Sequence, residues 1–444
     1  MHRSSRSRAC AWALAAWAAI GPGVAPALPP SDDSLGLVRA FEAAWQRQPE
    51  VASQAARRQA AEGAARAASR WVADAPALDV AARSDRLNSN DGSREYDLAL
   101  ALPLWLPDER ARSGALAAAE DAALAAKWHA ARLRVAASVR DAWWAAQLAR
   151  LDETLAQTRL DSARQLASDT ARRVRAGDLA RADQFQADSA LAQAEGALAE
   201  AAAAAEAATL ALRTLTGTTA DATADIASDT AADTGVSSAV TTPSGAPAAP
   251  SGAEPLPPPA ARPADLDADH PALAELAARA ALGARAAELA ATQTRANPEL
   301  LLGAKSERGQ RGEPYDHSLI IGVRVPFGGG GRADAKIAAA RADALEAQAQ
   351  LALERTRLHA EIEAARLRVS ASRTRLAAAD KQWRLADELR GFIDKSFKLG
   401  ETDLPTRLRV ELDAVTAQRQ AARLRIEAAA AVSALRQALG LLPQ

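Results

Sequence analysis

The hydrophobic pattern is helical over most of the chain and switches to strand period at four places. From Ser34 to Trp71 apolar residues recur at spacings of three and four (Leu35, Val38, Phe41, Trp45), and Pro49 starts a second helix, so helices are expected over 34–75. From Pro76 to Ser84 the period is two, with Leu78, Val80 and Ala82 on one face and Asp79, Ala81 and Arg83 on the other. A polar loop, Asp85 to Glu95, leads to a second alternating segment, Tyr96 to Leu102, in which Leu98, Leu100 and Leu102 share a face. This predicts a β-hairpin over 76–104, closed by Pro103 and Pro107. From Asp108 to about Arg175 only Gly114 interrupts the helical pattern, which at 1.5 Å per residue implies a rod of about 100 Å. A turn at 175–179, centred on Gly177, reverses the chain, and a returning helix completes a helical hairpin over 108–216.

Residues 217–269 break the pattern. They are rich in Thr, Ala, Asp, Ser and Pro, include Pro257-Pro258-Pro259, and read as a linker with no core to bury. Asp221, Asp225, Asp229 and Asp233 recur every four residues there and are read as solvated linker charge, with a metal-binding ladder as the alternative. The first program then repeats. Pro49 and Pro76 match Pro271 and Pro298 at an offset of 222, and Pro103, Gly177 and Gly217 match Pro326, Gly400 and Gly440 at 223. The strands match face by face, Leu78, Val80 and Ala82 with Leu300, Leu302 and Ala304, and Leu98, Leu100 and Leu102 with Ile321, Val323 and Val325. The second repeat, 270–440, is expected to comprise a helix over 271–296, a β-hairpin over 298–327, and a helical hairpin over 332–440 with its turn at 398–403.

The second long helix carries a seven-residue seam of Ile362, Val369, Leu376 and Trp383, supported by Leu358, Ala365 and Ala379. On its returning partner, Leu408, Leu412, Val415, Ala422 and Ile426 are expected to form the facing stripe. Abundant alanine on other faces lets a helix pack on two sides, the geometry of a wall rather than a simple pair.

Composition narrows the class. The 54 basic and 55 acidic side chains leave a net charge near zero, which argues against a nucleic-acid partner. The N-terminus has a basic region (Arg3, Arg6, Arg8), an apolar stretch from Ala9 to Ile20 and an Ala25-Pro26-Ala27 cleavage site, so residues 1–27 are expected to be a signal peptide. Cys10, the only cysteine, lies within it, which leaves the mature chain without thiols. No later run of 18 apolar residues predicts a transmembrane helix.

Short strands of this length suit a tilted transmembrane β-barrel. Four cannot close one, the smallest having eight, and open edges are not viable in lipid. Subunits are therefore expected to share a barrel, three chains supplying twelve strands; a soluble four-stranded sheet is the alternative. On such a barrel Leu98, Leu100, Leu102, Ile321, Val323 and Val325 would face lipid, while Arg83, Asp97, Lys305 and Arg324, with Ala99, Ala101, Gly303 and Gly322, would face the lumen. Trp105 and Phe327 suit the interfacial aromatic belt.

In this order of parts the chain resembles the TolC-like outer-membrane factors. Its local signatures are Asn297-Pro298-Glu299-Leu300, Gly322-Val323-Arg324-Val325-Pro326-Phe327, and the two Gly-centred turns. The resemblance implies a mostly α fold with a small β part in two repeats, each a β-hairpin plus a long antiparallel helical hairpin. It implies a homotrimer whose twelve-stranded barrel lies in outer-membrane lipid and continues as a long periplasmic α-helical barrel. The turns would be periplasmic tips contacting an adaptor (membrane fusion protein) through Arg175, Gly177, Asp178, Leu399, Gly400 and Glu401. Asp183 would be the gate carboxylate, with Asp403 and Thr406 as candidates in the second repeat, where the match is weaker. Plain helix capping is the competing role for these charges. An inner-membrane pump of the resistance–nodulation–division type would be the further partner. Length and short loops look closest to the cobalt–zinc–cadmium branch, implying export of heavy-metal cations; drug efflux or type I secretion through the same fold are alternatives.

No catalytic constellation is present in the sequence, and no cofactor is expected. The five histidines are not spaced as ligands on one helical turn, and Gly328 to Gly331 lack the Lys-Ser/Thr ending of a phosphate loop, reading instead as a flexible strand-to-helix junction. A passive exit duct is thus the leading expectation, and a periplasmic coiled-coil adaptor or scaffold its rival.

Overall fold

The computed structural model describes residues 32–87, 91–217, 250, 252–258, 269–328 and 330–444. The expected signal peptide, Cys10 and the Asp221–Asp233 series lie outside them. Two helices, α1 (Asp32–Gln46) and α2 (Pro49–Ser69), lead to strands β1 (Ala77–Ser84) and β2 (Arg94–Pro103). A 68-residue helix α3 (Glu109–Ala176) and a 36-residue α4 (Arg181–Thr216) follow. The second half gives α5 (Pro271–Thr292), β3 (Glu299–Arg308), β4 (Asp316–Arg324), a 69-residue α6 (Gly330–Lys398) and α7 (Leu404–Ala438). Gly330 and Gly331 belong to α6, so the junction expected at the glycine run is shorter than the sequence suggested. Helix α2 likewise ends at Ser69, short of the expected boundary at 75.

The four strands form one antiparallel sheet in the order β1-β2-β3-β4. Its centre is the pairing of the two hairpins, with Asp97 opposite Lys305 and Leu100 opposite Leu302. Among the described residues the edges β1 and β4 have no further strand partner.

The helices make a wall. Helices α2 and α5 feed strands, so they lie at the sheet end, where α3 packs against both and α5 packs against α6. Toward the turns α4 packs on α3, α3 on α7, and α7 on α6. At about 1.5 Å per residue α3 and α6 each run about 100 Å through both levels.

Three apolar clusters hold this wall. Leu37, Ala40 and Phe41 of α1 pack on Ala136, Val139, Trp143 and Trp144 of α3 and Leu212 of α4. Leu358, Ile362, Ala365 and Val369 of the α6 seam are buried against Leu435 and Ala438 of α7 and Leu273 of α5. Nearer the turns Ala379 of α6 meets Ala421 and Leu424 of α7, flanked by Leu376 and Trp383.

The facing stripe on α7 differs from the expected one. The buried positions are Ala414, Ala417, Ala421 and Leu424, while Leu412 is 47% exposed and Leu408 and Val415 are half-buried. The physical reason is close approach: toward the turns α6 and α7 meet where Ala379 packs on Ala421. The larger side chains fall on another face, where Leu408, Leu412 and Val415 line a groove with Leu166 of α3 and Ala190 of α4. Ile426 packs on the α1–α3 cluster.

The stretch expected to bury nothing does so at 252–258. The Glu254 side chain is fully enclosed between Arg140 of α3 and Arg436 of α7. Oε1 and Oε2 accept from Arg140 Nη2 (2.6 Å) and Nε (2.9 Å), and Oε1 also accepts from Arg436 Nε at 3.1 Å. Arg140 also donates to the Leu441 carbonyl, and Arg436 to the carbonyl of Pro255. A buried ion triad of this kind is costly to break because any charge left behind is desolvated.

Candidate functional site

The register sorts the sheet into two unlike faces, since residues directly opposite on paired strands point the same way. One face carries Leu78, Val80, Leu98, Leu100, Leu302, Leu319, Ile321 and Val323. All are exposed, from Leu100 at 37% to Leu319 at 86%. Leu102 and Val325, expected in this set, depart from it: Leu102 is buried at the sheet–helix junction, and Val325 lies beyond β4 and is half-buried.

The opposite face gathers Arg83, Asp97, Lys305 and Arg324. Sequence reasoning missed their partners there. Glu95 accepts from Arg83 at 3.1 Å and from Lys305 at 3.0 Å, Glu307 pairs with Lys305 at 2.5 Å, and Glu299 pairs with Arg324 at 2.8 Å. With Asp79 and Asp316, this face holds six carboxylates against three cations.

Aromatic side chains flank the apolar face. At the loop end the rings of Tyr96 and Tyr315 lie 6.4 Å apart, and Arg308 stacks 5.1 Å from the Tyr315 ring. At the helix end Trp71 and Phe327 are largely exposed. Trp105 is half-buried and donates its indole N–H to the Arg70 carbonyl at 3.1 Å.

Beneath the sheet the two repeats are bolted together at Glu109, which is 2% exposed. It accepts from the Leu106 amide at 2.9 Å, from Gln293 at 2.8 Å and from Asn297 at 2.9 Å. Asn297 of the Asn-Pro-Glu-Leu signature thus ties the second repeat to the start of α3.

The two turns are the same structure made twice. Gly177 has φ 88 and Gly400 φ 81, a left-handed conformation that glycine adopts without a Cβ penalty. Gly177 donates to Val174 and Asp178 to Arg173, while Gly400 donates to Phe397 and Glu401 to Ser396. Both are Schellman motifs that satisfy the last carbonyls of α3 and α6.

Around these turns Arg175, Asp178, Leu399 and Glu401 are exposed. Asp183 is half-buried, and its carboxylate accepts the Ala180 amide at 3.1 Å, capping α4. Asp403 stands at the N-cap of α7 without a side-chain capping bond, and Thr406 is exposed in the first turn.

A second cluster at the turns had no clear sequence signal. Phe397, 6% exposed, lies between the Arg173 guanidinium of α3 (5.0 Å) and that of Arg407 of α7 (4.7 Å). Arg407 also pairs with Asp394 at 2.9 Å, and Asp394 with Lys398 at 2.7 Å. The Lys398 bond, with Arg407 and Arg390 nearby, holds the Asp394 carboxyl below the usual range despite the opposing effect of partial burial. Farther from the turn, Asp152 of α3 takes Arg419 at 2.9 Å and Arg423 at 3.5 Å, both from α7. Among the described residues no helix is long and apolar enough to cross a membrane.

The sequence matches the family model for outer membrane efflux proteins over residues 40–218 and 264–441, one match per repeat. No curated protein matches it significantly. Among solved structures the chain is similar to the outer membrane protein VceC of Vibrio cholerae (TM-score 0.68, 19% identity, covering 92% of this chain and 97% of that one). It is similar also to the CmeC outer membrane channel of Campylobacter jejuni (0.69, 14%, 91% and 85%). A third is the open state of the MtrE outer membrane channel of Neisseria gonorrhoeae (0.68, 16%, 91% and 89%). At these identities the likeness concerns the fold.

Proposed function

Because this chain belongs to the outer membrane efflux protein family, we propose that three copies of it close a shared duct that serves as the passive exit of a tripartite efflux system. It is an outer-membrane protein, and membership removes the periplasmic adaptor or scaffold alternative. The single observation that carries the proposal is the unfinished wall. Strands β1 and β4 are both edges, and α6 carries an exposed stripe of Leu345, Leu353, Leu367, Leu385, Leu389 and Phe392 along one side. At 100° per residue these six fall within an arc of roughly 80°. An unpaired strand edge and an unpartnered apolar stripe are both satisfied when β4 and α6 of one copy meet the first-repeat edge of the next. Three copies then give twelve strands, an even number within the range of known barrels.

In this arrangement the leucine-rich face of the sheet meets lipid and the charged face lines the lumen. The turns at Gly177 and Gly400 form the periplasmic mouth, with Arg175, Asp178, Leu399 and Glu401 exposed to an adaptor. Asp183, Asp403 and Thr406 stand at the constriction, where Asp183 also caps α4. The inner-membrane pump supplies the energy and the duct supplies only a path. The excess of carboxylates on the lumen face favours cations by simple electrostatics. This supports heavy-metal cations as the exported class, in line with the cobalt–zinc–cadmium resemblance. Two measurements test this. The purified protein in a planar bilayer should prefer cations, and a deletion strain should become sensitive to zinc, cobalt or cadmium. Anion preference, or sensitivity to hydrophobic drugs alone, would reject the metal cargo.

A further inference from the structure

The loop end of the sheet separates its charges by face in a way the duct itself does not require. Arg94 of β2 lies directly opposite Arg308 of β3, and Ser84 of β1 completes the row. Directly opposed residues have Cβ atoms about 5 Å apart, and like charges so placed repel. This row shares a face with Leu98, Leu100, Leu302 and Leu319, and lies just beyond Tyr96 and Tyr315.

Apart from Asp91, which is exposed in the β1–β2 loop, the acids of this end lie on the other face or are held in the loops. Glu95, Asp97, Glu307 and Asp316 belong to the opposite face. In the loops, the Asp85 carboxylate accepts the amides of Gly92 and Ser93, and the Glu313 carboxylate accepts the Gln310 amide. Among the described residues neither Arg94 nor Arg308 has a carboxylate partner. Arg308 is nevertheless held in place, its Nε donating to the Gly92 carbonyl at 3.1 Å and its guanidinium resting on Tyr315. Its terminal nitrogens have no hydrogen-bond partner among the described residues, and both arginines are half-buried. The two loops are themselves stitched together, the Arg311 amide donating to the Asp91 carbonyl at 2.9 Å, so the site sits on fixed backbone.

We infer that Arg94 and Arg308 form an outward-facing site for the phosphate of an outer-leaflet glycolipid headgroup. The inference rests on the membrane-barrel reading, which puts the tyrosines at the lipid–water interface and the arginine row at headgroup depth. A phosphate between two guanidinium groups relieves their repulsion and receives paired, charge-assisted hydrogen bonds. The neighbouring tyrosines would then pack against the upper part of the lipid chains.

The test uses the full protein extracted from outer membranes in detergent and measures binding of bis-phosphorylated lipid A, its dephosphorylated form, and inorganic phosphate. Lipid A should bind the wild type, and about tenfold more weakly an Arg94→Gln/Arg308→Gln double variant, the loss expected for a charge-assisted contact. Arg83→Gln, on the opposite face, should bind like the wild type, and Arg94→Lys/Arg308→Lys, which keeps the charge but loses the planar fork and the Tyr315 contact, should fall between the wild type and the glutamine pair. Equal binding of the dephosphorylated lipid to the wild type would overturn the inference with no variant needed. Binding of inorganic phosphate as tight as that of lipid A would replace the lipid by a free anion. Recovery of the wild type from the soluble periplasmic fraction would instead defeat the barrel reading, which makes the two failures distinguishable.

Discussion

The guanidinium of Arg173, in the last turn of α3, lies 5.0 Å from the centre of the Phe397 ring, in the last turn of α6. These residues come from different repeats, so the contact joins two tips that are otherwise separate Gly-centred turns. Arg407 covers the same ring at 4.7 Å and is anchored to Asp394.

Each such cation–ring contact contributes roughly 0.5–1 kcal/mol. Replacing Phe397 by Leu keeps an apolar side chain but removes the ring. In the proposed duct, opening parts the two tips, so Phe397→Leu should shift them toward the open state about two- to fivefold, the consequence of losing the one contact, with Arg173, that spans them. Single-channel recording checks this as open probability. Unchanged gating would make the cluster structural padding.

Glu254 gives a stability prediction. Glu254→Ala leaves Arg140 and Arg436 buried beside each other with no carboxylate, and should cost about 3–5 kcal/mol. The heat-modifiability midpoint on denaturing gels would report it. Asp169→Ala, which removes a largely exposed partner of Arg172 one helical turn away, should leave the midpoint unchanged. Equal, small effects would mean that segment 252–258 does not lock the wall.

His270 gives a pH prediction. Burial holds its imidazole below the ordinary value of 6.5, against weaker opposing effects from the Ala438 backbone and Glu354. Its Nδ1 accepts the Ala272 amide at 3.3 Å, a bond that needs the neutral ring. The folded protein therefore binds fewer protons than the unfolded chain between the lowered value and 6.5. Stability from this group is full above 6.5, falls as pH drops through that window, and is level below it. Thermal melts of the wild type and His270→Asn across this range should show a slope in the first that shrinks in the second. Parallel curves would rule His270 out.

The two faces of the sheet can be told apart with neighbouring residues of β4. Leu319→Lys puts a charge on the leucine-rich face, at a cost of about 2–4 kcal/mol near the bilayer midplane. Ser318→Lys puts it on the charged face. Outer-membrane assembly in pulse-labelled cells should fall for the first and persist for the second. The reverse order would invert the barrel.

Much of the architecture could be read from residues whose effect is local. Gly177 and Gly400 announced two matching turns because a left-handed backbone leaves few alternatives to glycine. The alternation of Leu98 and Leu100 against Asp97 and Ala99 fixed the faces of β2, and the seam from Leu358 to Val369 identified the buried side of α6. What sequence pattern could not show depended on distant partners. Glu254 sits in a composition typical of linkers, and only the convergence of Arg140 and Arg436 makes it core. Phe397 meets Arg173 across 224 positions, and no periodicity connects them. On α7 the larger residues drew attention away from the true contact, because alanine buried by close approach has little hydrophobic contrast.

The central claim is that the unfinished edges of one chain close against two further copies in the outer membrane. It is tested most directly by fractionating cells, extracting the protein without heating, and measuring its mass by light scattering corrected for detergent. The account predicts three chains per particle, recovered from the outer-membrane fraction and collapsing to single chains on boiling. A single chain, recovered from the periplasmic fraction, would contradict it.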